Sequence, residues 1–177
     1  MRAGLRILFV GINPGLRSAA VGHHYAGYSN RFWKLVHDSG LVPEPLTPER
    51  DAELLRWEMG LTNLVARPSA GVGDLSAADF SRGRRILRAK VRRLRPALVA
   101  LVGLTVYDHL FPPSDRRGDR AGSARVGLQP ESLHGAQIFV LPNTSGRNAH
   151  YPYTAMLEVF RELARRISRT VRSAVAR

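Results

Sequence analysis

Short, mainly apolar segments alternate with helix-like segments along this chain of 177 residues. In the longer segments, apolar residues repeat at helical intervals; the short ones are bounded by glycine, proline or polar residues. The strand-like segments are residues 5–10, 61–65, 97–102 and 137–141, and the helix-like segments are residues 30–39, 49–59, 76–95, 105–111 and a run around 156–167. Such alternation predicts a parallel sheet with helices on both faces. The predicted fold class is therefore α/β, a three-layer α/β/α sandwich with a short central parallel sheet.

The segment 76–95 carries the clearest helix signals. Ser76 and Asp79 have the spacing of a capping box at its start. The apolar positions that follow at helical intervals are Phe80, Leu87, Val91 and Leu94. The opposite face is rich in arginine, which is typical of a solvated helix face and also suits a polyanionic partner.

The charge of the chain points to a polyanion. Lys and Arg number 27 against 14 Asp and Glu, a formal charge of +13, and only Lys34 and Lys90 are lysines, so 25 of the 27 are Arg. Nucleic acid is the usual partner of so basic a small domain, because each neutralised phosphate releases counterions. The alternative is an arginine-rich surface that is merely solvated.

Length and composition set further expectations. The length predicts a single domain over residues 1–168 with a basic C-terminal tail over 169–177, and we expect a monomer. No apolar run reaches the roughly 18 residues of a membrane helix, so no membrane association is expected. The absence of cysteine excludes disulfides and thiolate chemistry and suits a reducing cytoplasm, which is the expected location. Residues 112–123, which are polar and contain glycine, are predicted to form a loop.

Several common catalytic signatures are missing from the sequence. It has no phosphate-binding loop, no glycine-rich dinucleotide fingerprint, no nucleophile elbow and no zinc-protease motif. His23 and His24 are adjacent, so they cannot share one helix face as a metal-binding pair does. We therefore expect neither a metal nor a cofactor.

Three loops follow predicted strands, at the edge of a parallel sheet where ligands bind. They are residues 11–28, the Thr62-Asn63 pair, and residues 143–151. In the first loop, the Gly-Ile-Asn-Pro-Gly sequence places Asn13 on a sharply turned backbone, which can hold one amide rigidly for a ligand. The alternative is a structural turn in which the Asn13 side chain caps its own backbone.

The sequence around these loops resembles a known family. The segments GINPGLRSAAVGHHYAGYSNRFWKLVHDSGL at 11–41, GLTNLVARPSAGVGDLSAADFSRGRRIL at 60–87, VGLQP at 126–130 and LPNTSGRNAHYPY at 141–153 resemble, in the same order, motifs of the mismatch-specific uracil/thymine DNA glycosylases. This family is a branch of the uracil-DNA glycosylase superfamily. The resemblance implies a glycosylase of base-excision repair that flips uracil or mismatched thymine out of duplex DNA and leaves an abasic site.

The resemblance implies roles for the residues of the first two motifs. Asn13 would position the hydrolytic water, and the backbone amides around Ile12 and Ser18 would contact the pyrimidine carbonyls. Tyr25 would stack against the flipped base, and Asn63 would read the pyrimidine edge. Alternatively, Tyr25 is a tyrosine of the core or of the rim, and Asn63 is a buried structural asparagine. Ser18 departs from the family pattern at a place where its size and hydroxyl affect the fit of the pyrimidine.

The last motif corresponds to the DNA-binding loop of the family. Arg147 would be the wedge that fills the hole left by the flipped nucleotide. Gly146 would permit a close approach, and the hydroxyls of Thr144 and Ser145 would bind phosphates. Gly15 and Asn143 are the other expected DNA contacts. The alternative is that Arg147 belongs to an ordinary basic loop. A protonated His24 or His150 could also act as a general acid, although the motifs do not require one.

Two other functions are consistent with the same fold. One is a DNA-binding module without activity, and the other is a hydrolase of small nucleosides. The hydrolytic amide of Asn13 argues against the first, and the charge of +13 together with Arg147 argues against the second. Lys34 and Lys90 lie outside the three loops, so no Schiff base is expected and the enzyme would be monofunctional.

Overall fold

The computed structural model describes residues 3–112 and 125–175, without the side chains of 169–175. Most of the loop predicted at 112–123 lies outside the described residues. The strands are β1 (Ile7–Gly11), β2 (Met59–Asn63), β3 (Leu98–Val102), β4 (Gly127–Leu133) and β5 (Ala136–Leu141). The α-helices are α1 (Leu16–Val21), α2 (Phe32–Asp38), α3 (Ala77–Leu94), α4 (Leu104–Leu110) and α5 (Tyr153–Val175), and two 3₁₀ helices span Pro48–Trp57 and Val72–Asp74.

The five strands form one sheet in the order β2-β1-β3-β5-β4. The pairs β1–β2, β1–β3 and β3–β5 are parallel, and β4 is antiparallel to its neighbour β5. Because the chain first places β2 on one side of β1 and then crosses to place β3 on the other, the strand order reverses at β1. Ligands of open α/β sheets bind beyond the carboxyl ends of the strands at such a reversal.

Alternate residues of the strands pack into two hydrophobic cores. Leu8 and Val10 of β1 lie in a core with apolar residues of α3 and α4. Ile7 and Phe9 lie in a second core with apolar residues of α2 and α5. Helices therefore cover both faces of the sheet, which confirms the predicted α/β/α sandwich.

The helix at 76–95 forms as its sequence pattern predicts. The Ser76 hydroxyl accepts a hydrogen bond from the Asp79 amide at 3.2 Å, and the Asp79 carboxylate accepts one from the Ser76 amide at 2.9 Å. These two bonds are the predicted capping box. The buried residues of α3 are Phe80, Gly83, Leu87, Val91 and Leu94.

The edge strand β4 has no strand-like sequence signal. It contains Pro130 and the buried Glu131, and its pairing with β5 is irregular between Leu128 and Ser132. A proline is tolerated at the edge of a sheet, where an N–H need not join the ladder. The Glu131 carboxylate accepts a hydrogen bond from the Tyr107 hydroxyl at 2.8 Å, which compensates its burial.

The predicted helix at 49–59 is a 3₁₀ helix that ends two residues earlier. Glu58, which follows it, has a left-handed φ of 58°, and its carbonyl accepts a hydrogen bond from Arg6 at 2.7 Å. Met59 and Gly60 consequently join β2, so the strand predicted at 61–65 is shifted toward the N-terminus. The first loop also contains the short helix α1.

At the C-terminus, α5 extends to Val175, so the backbone of most of the predicted tail continues this helix. The domain boundary at residue 168 stays a prediction. Across the described residues, none of the helices combines the length and apolar character that crossing a membrane requires.

The two polar residues of β2 have different surroundings. Thr62 is buried, and its hydroxyl accepts a hydrogen bond from the Lys90 amine of α3 at 2.6 Å. Burial lowers the pKa of Lys90 from its ordinary value. Thr62 thus joins the sheet to α3, whereas the partly buried Asn63 lies at the carboxyl end of the strand.

Gly83 allows α3 to approach the segment after β2. An added Cβ would lie 2.3 Å from the Leu64 carbonyl oxygen. We expect Gly83→Ala to lower the free energy of unfolding by about 1–3 kcal/mol because backbone must move to admit the methyl group. Urea unfolding measures the effect, with exposed Ser81→Ala on the same helix as the control. Because alanine stabilises an unobstructed helix position by about 1 kcal/mol over glycine, a gain in stability for Gly83→Ala would contradict the close approach.

Candidate active site

A cleft of about 680 Å³ lies at the carboxyl ends of the parallel strands. Its wall includes the last residues of β1, β2 and β3 and the loops that follow β1, β2 and β5. The cleft is lined by all eleven residues predicted to act in catalysis or binding: Ile12, Asn13, Gly15, Ser18, Tyr25, Asn63, Asn143, Thr144, Ser145, Gly146 and Arg147. Residues separated by up to 135 positions therefore meet at one site, and its volume exceeds that of a pyrimidine nucleoside.

The side chain of Asn13 is held by its nitrogen. Nδ2 donates hydrogen bonds to the Ser69 hydroxyl at 2.8 Å and to the Arg67 carbonyl at 3.1 Å. A longer contact to the carbonyl of the adjacent Pro14 measures 3.2 Å. The anchors therefore lie in a distant loop rather than in the turn itself. Oδ1 is the amide atom left to accept a hydrogen bond from a water or ligand in the cleft.

Ser69 was not identified from the sequence. Its side chain is buried, and its hydroxyl donates to the Gly71 carbonyl at 2.6 Å while it accepts from Asn13. Its backbone runs beside the Asn13 turn, pairing with Gly15 as an isolated bridge. Ser69 lies 56 positions from Asn13 in a loop rich in small residues, so no local pattern signals the contact.

The loop that carries Ser69 is braced against α3. The Arg67 guanidinium donates to both carboxylate oxygens of Asp79, at 2.8 Å and 3.4 Å, and also to the Asp74 carbonyl. These bonds, together with the capping bonds from Ser76, hold the pKa of Asp79 well below its usual range. The support of the Asn13 amide thus extends to the start of α3.

Tyr25 packs between the cleft and the core. It has a left-handed φ of 53°, and its ring stacks on Phe32 at 3.9 Å between centroids and 17° between planes. Since one face of the ring is occupied, only the other can meet a base. The hydroxyl is buried and has no hydrogen-bond partner among the described residues, and burial raises its pKa.

Gly11 provides room where these polar groups converge. A Cβ at this position would lie 2.6 Å from Asn63 Oδ1 and 3.1 Å from the Tyr25 hydroxyl oxygen. Only glycine lets both side chains pack against the end of β1. Gly11 of the first motif is therefore required by the packing of the site.

Asp51 positions the segment before Tyr25. One carboxylate oxygen accepts a hydrogen bond from the His24 amide at 3.1 Å and lies 3.5 Å from His23 Nδ1. The Trp33 indole donates to the His24 carbonyl at 3.1 Å. Asp51 lies in the segment predicted as a plain helix, so its role in the site could not be inferred from the sequence.

The two histidines considered as acids have different positions. Burial lowers the pKa of His24 from its ordinary value of 6.5, and the Asp51 carboxylate only partly opposes this effect. His24 lines the cleft in its neutral form near neutral pH, which disfavours an imidazolium acid there. His150 is exposed and is not among the residues that line the cleft.

Ser18 ties α1 to the same segment. Its hydroxyl accepts a hydrogen bond from the Ala26 amide at 3.0 Å, and its carbonyl accepts from Gly22 and His23. The side chain is partly buried. Its hydroxyl therefore shapes the loop around the cleft, and its proton is still available to a ligand.

The loop at 143–147 is fixed by contacts with the start of α2. Thr144 is only 1% exposed, its hydroxyl donates to the Asn30 side chain at 2.9 Å, and its carbonyl accepts from Arg31 at 3.0 Å. This hydroxyl therefore helps to hold the loop, and the DNA contact predicted for Thr144 stays a prediction. A Cβ at Gly146 would lie 2.3 Å from the Ser29 hydroxyl, so the loop packs closely here.

The remaining polar groups of this loop are more accessible. The Asn143 side chain accepts a hydrogen bond from the Ser145 amide at 3.0 Å, which shapes the turn. Arg147 is exposed, and within the described part of the chain its guanidinium has no hydrogen-bond or ion-pair partner. The loop therefore presents an unengaged cation at the mouth of the cleft.

Among the described residues, no cluster of three or more His, Asp or Glu side chains is suited to a metal ion.

Residues 1–164 match the protein-family model described as the uracil DNA glycosylase superfamily. The matched range includes every cleft residue named above and most of the described fold.

The lowered pKa of His24 makes the stability of the fold depend on pH. Between pH 6.5 and its lowered pKa in the folded chain, His24 is protonated in the unfolded chain but not in the folded one, so the free energy of unfolding declines as the pH falls through this window. We expect His24→Gln to make this decline shallower in urea unfolding between about pH 7.5 and about pH 5.5. His150→Gln, at an exposed position, is the control. An equally steep decline in His24→Gln and wild type would contradict the burial of a neutral His24.

Proposed function

The chain belongs to the uracil DNA glycosylase superfamily, and we propose that it excises uracil from G·U mismatches in DNA, with thymine in G·T mismatches as its second substrate. Membership implies a DNA glycosylase, a hydrolase that acts on DNA in repair. One observation carries the finer proposal: Asn13 is fixed through its side-chain nitrogen, which leaves its oxygen for a water in a cleft large enough for a pyrimidine nucleotide.

In the proposed reaction, a water held by Asn13 Oδ1 attacks C1′ of the flipped nucleotide. The water oxygen forms a bond to C1′, the C1′–N1 bond breaks with its electron pair going to the pyrimidine, and the water loses a proton to solvent. An amide is too weak a base to remove that proton early. The step therefore suits a dissociative path, in which the placed water and the stabilised pyrimidine anion lower the barrier.

The groups around the cleft match the pyrimidine edge. Uracil and thymine present an N3–H donor between two carbonyl acceptors, and the Asn63 amide offers both an acceptor and a donor. The further donors in this proposal are the backbone amides near Ile12 and Ser18. The base would stack on the face of Tyr25 opposite the one that Phe32 covers.

Arg147 suits the role of a wedge. It is exposed on a loop that contacts Ser29 and Asn30, so a side chain inserted into the duplex would be supported from behind. Filling the space of the flipped nucleotide offsets part of the unstacking energy. The net charge of +13 favours attraction of the DNA backbone.

The positions of the two lysines support a monofunctional enzyme. Lys34 is exposed on α2 and paired with Asp38, and Lys90 is bonded to Thr62. Neither is among the residues that line the cleft. An amine for a Schiff base with C1′ is therefore not available from the lysine side chains.

The proposal is tested with labelled duplexes containing G·U, G·T or A·U and with single-stranded uracil DNA, each treated with alkali after incubation. We expect an alkali-labile break at the G·U uracil. Asn13→Ala abolishes it while binding to the G·U duplex stays within a few fold, because the amide acts on the water and not on DNA affinity.

Two outcomes would contradict the proposal. Binding to the G·U duplex without cleavage of any substrate would indicate an inactive binding module. Hydrolysis of free deoxyuridine as fast as that of uracil in duplex DNA would indicate a nucleoside hydrolase.

The wedge has its own test. We expect Arg147→Ala to slow excision from the G·U duplex by roughly ten- to hundredfold, since extruding a paired base costs a few kcal/mol. Excision from single-stranded DNA, where no hole forms, should slow much less. Arg92→Ala, at the far end of α3 from the cleft, controls for the loss of one positive charge. An equal loss on both substrates would show that Arg147 acts only as a charge.

A further inference from the structure

Tyr28 is a large aromatic side chain held outside the core. It is 89% exposed, the highest exposure among the large hydrophobic side chains of the described residues. Since so little of the ring is buried, its position is set by contacts other than packing in the core.

Arg17 holds this ring in place. The guanidinium carbon lies 3.6 Å from the centroid of the Tyr28 ring, and Nη1 donates a hydrogen bond to the Tyr28 hydroxyl at 2.6 Å. Arg17 is itself anchored, because its Nε donates to the Ala26 carbonyl at 2.7 Å. Within the described part of the chain, Nη2 of Arg17 has no partner. The pair therefore presents one open ring face, and the cation with its free donor lies over the opposite face.

The pair lies between the two loops that border the cleft. Arg17 belongs to α1, directly after the Asn13 turn, and is one of the cleft-lining residues. Tyr28 precedes Ser29, which packs against Gly146 of the wedge loop. A nucleotide flanking the one in the cleft would consequently pass close to Tyr28.

An aromatic face next to an arginine matches the chemistry of a nucleotide. A nucleobase stacks on the ring whatever its sequence, and the guanidinium can bind the adjoining phosphate. A free phosphate would not need the aromatic ring, and an apolar peptide would not need the cation. The two groups together favour a nucleic-acid strand.

We propose that Arg17 and Tyr28 form a stacking platform for the nucleotide next to the flipped one, and that the platform serves single-stranded DNA above all. In a duplex, the neighbouring base is already stacked and paired, so it gains little from Tyr28. In a single strand that base is free to leave its neighbours. This inference rests on one part of the proposed function, the binding of a target nucleotide in the cleft, because only then does its neighbour reach the platform; it does not depend on cleavage.

The test compares affinities for two uncleavable probes. One is a short single strand containing 2′-fluoro-deoxyuridine, and the other is the same strand paired so that this nucleotide lies opposite guanine. Fluorescence anisotropy gives the dissociation constants. We expect Tyr28→Ala to weaken single-strand binding about tenfold and duplex binding less than about threefold, as loss of one stacked base predicts.

Two variants sharpen the comparison. Tyr28→Phe keeps the ring and should stay within about twofold of the wild-type affinity for the single strand. Arg92→Ala removes a distant charge and should weaken both probes equally and slightly. Equal melting temperatures of Tyr28→Ala and wild type establish that the fold is intact, as the exposure of Tyr28 implies.

The outcomes separate this inference from the proposed function. The platform would be overturned if Tyr28→Ala weakened the affinity for both probes equally, or if it left the affinity for the single strand unchanged. Cleavage of the G·U duplex by the wild type is measured separately and tests the proposed function. A selective loss of single-strand affinity without any cleavage would support the platform and contradict the proposed function.

Discussion

The hydrogen bond from the Asn13 side-chain nitrogen to the Ser69 hydroxyl determines which way the amide of the cleft points. An amide has a donor end and an acceptor end, and only the acceptor end can hold the hydrogen of an attacking water so that its oxygen faces C1′. The chemistry proposed for this cleft relies on geometry rather than on basicity, so a free amide that turned over would lose it. Ser69, its bond to Gly71 and the ion pair between Arg67 and Asp79 together prevent that rotation.

Other loops around the cleft are also fixed by polar contacts with distant segments of the chain. Asp51 holds the segment before Tyr25, and Asn30 holds Thr144 of the wedge loop. Phe32 joins the second core of the sheet to the ring of Tyr25. Each loop is thus attached to a regular element of the fold, which preorganises the cleft for the proposed nucleotide.

The sequence contains enough information to predict the elements whose patterns are local. The apolar strands β1, β3 and β5 and the capped helix α3 form close to their predicted positions, and the motif residues meet in one cleft. Contacts between distant residues have no such signal. Pro130 and Glu131 are atypical of a strand, so the edge strand β4 has no clear sequence signal. Ser69 and Asp51 act through partners more than 25 positions away. Thr144 is buried, although its motif suggests a phosphate ligand. These features depend on packing that only the folded chain defines.

The claim that a fixed amide delivers water to C1′ is tested most directly by a crystal structure of the protein with a duplex that carries 2′-fluoro-deoxyuridine opposite guanine. We expect the flipped nucleotide in the cleft, the Asn13 nitrogen still bonded to Ser69, and a water between Oδ1 and C1′ within hydrogen-bond distance of the amide oxygen. A complex in which the nitrogen of Asn13 faces C1′, or in which the pyrimidine binds elsewhere while the cleft stays empty, would contradict it.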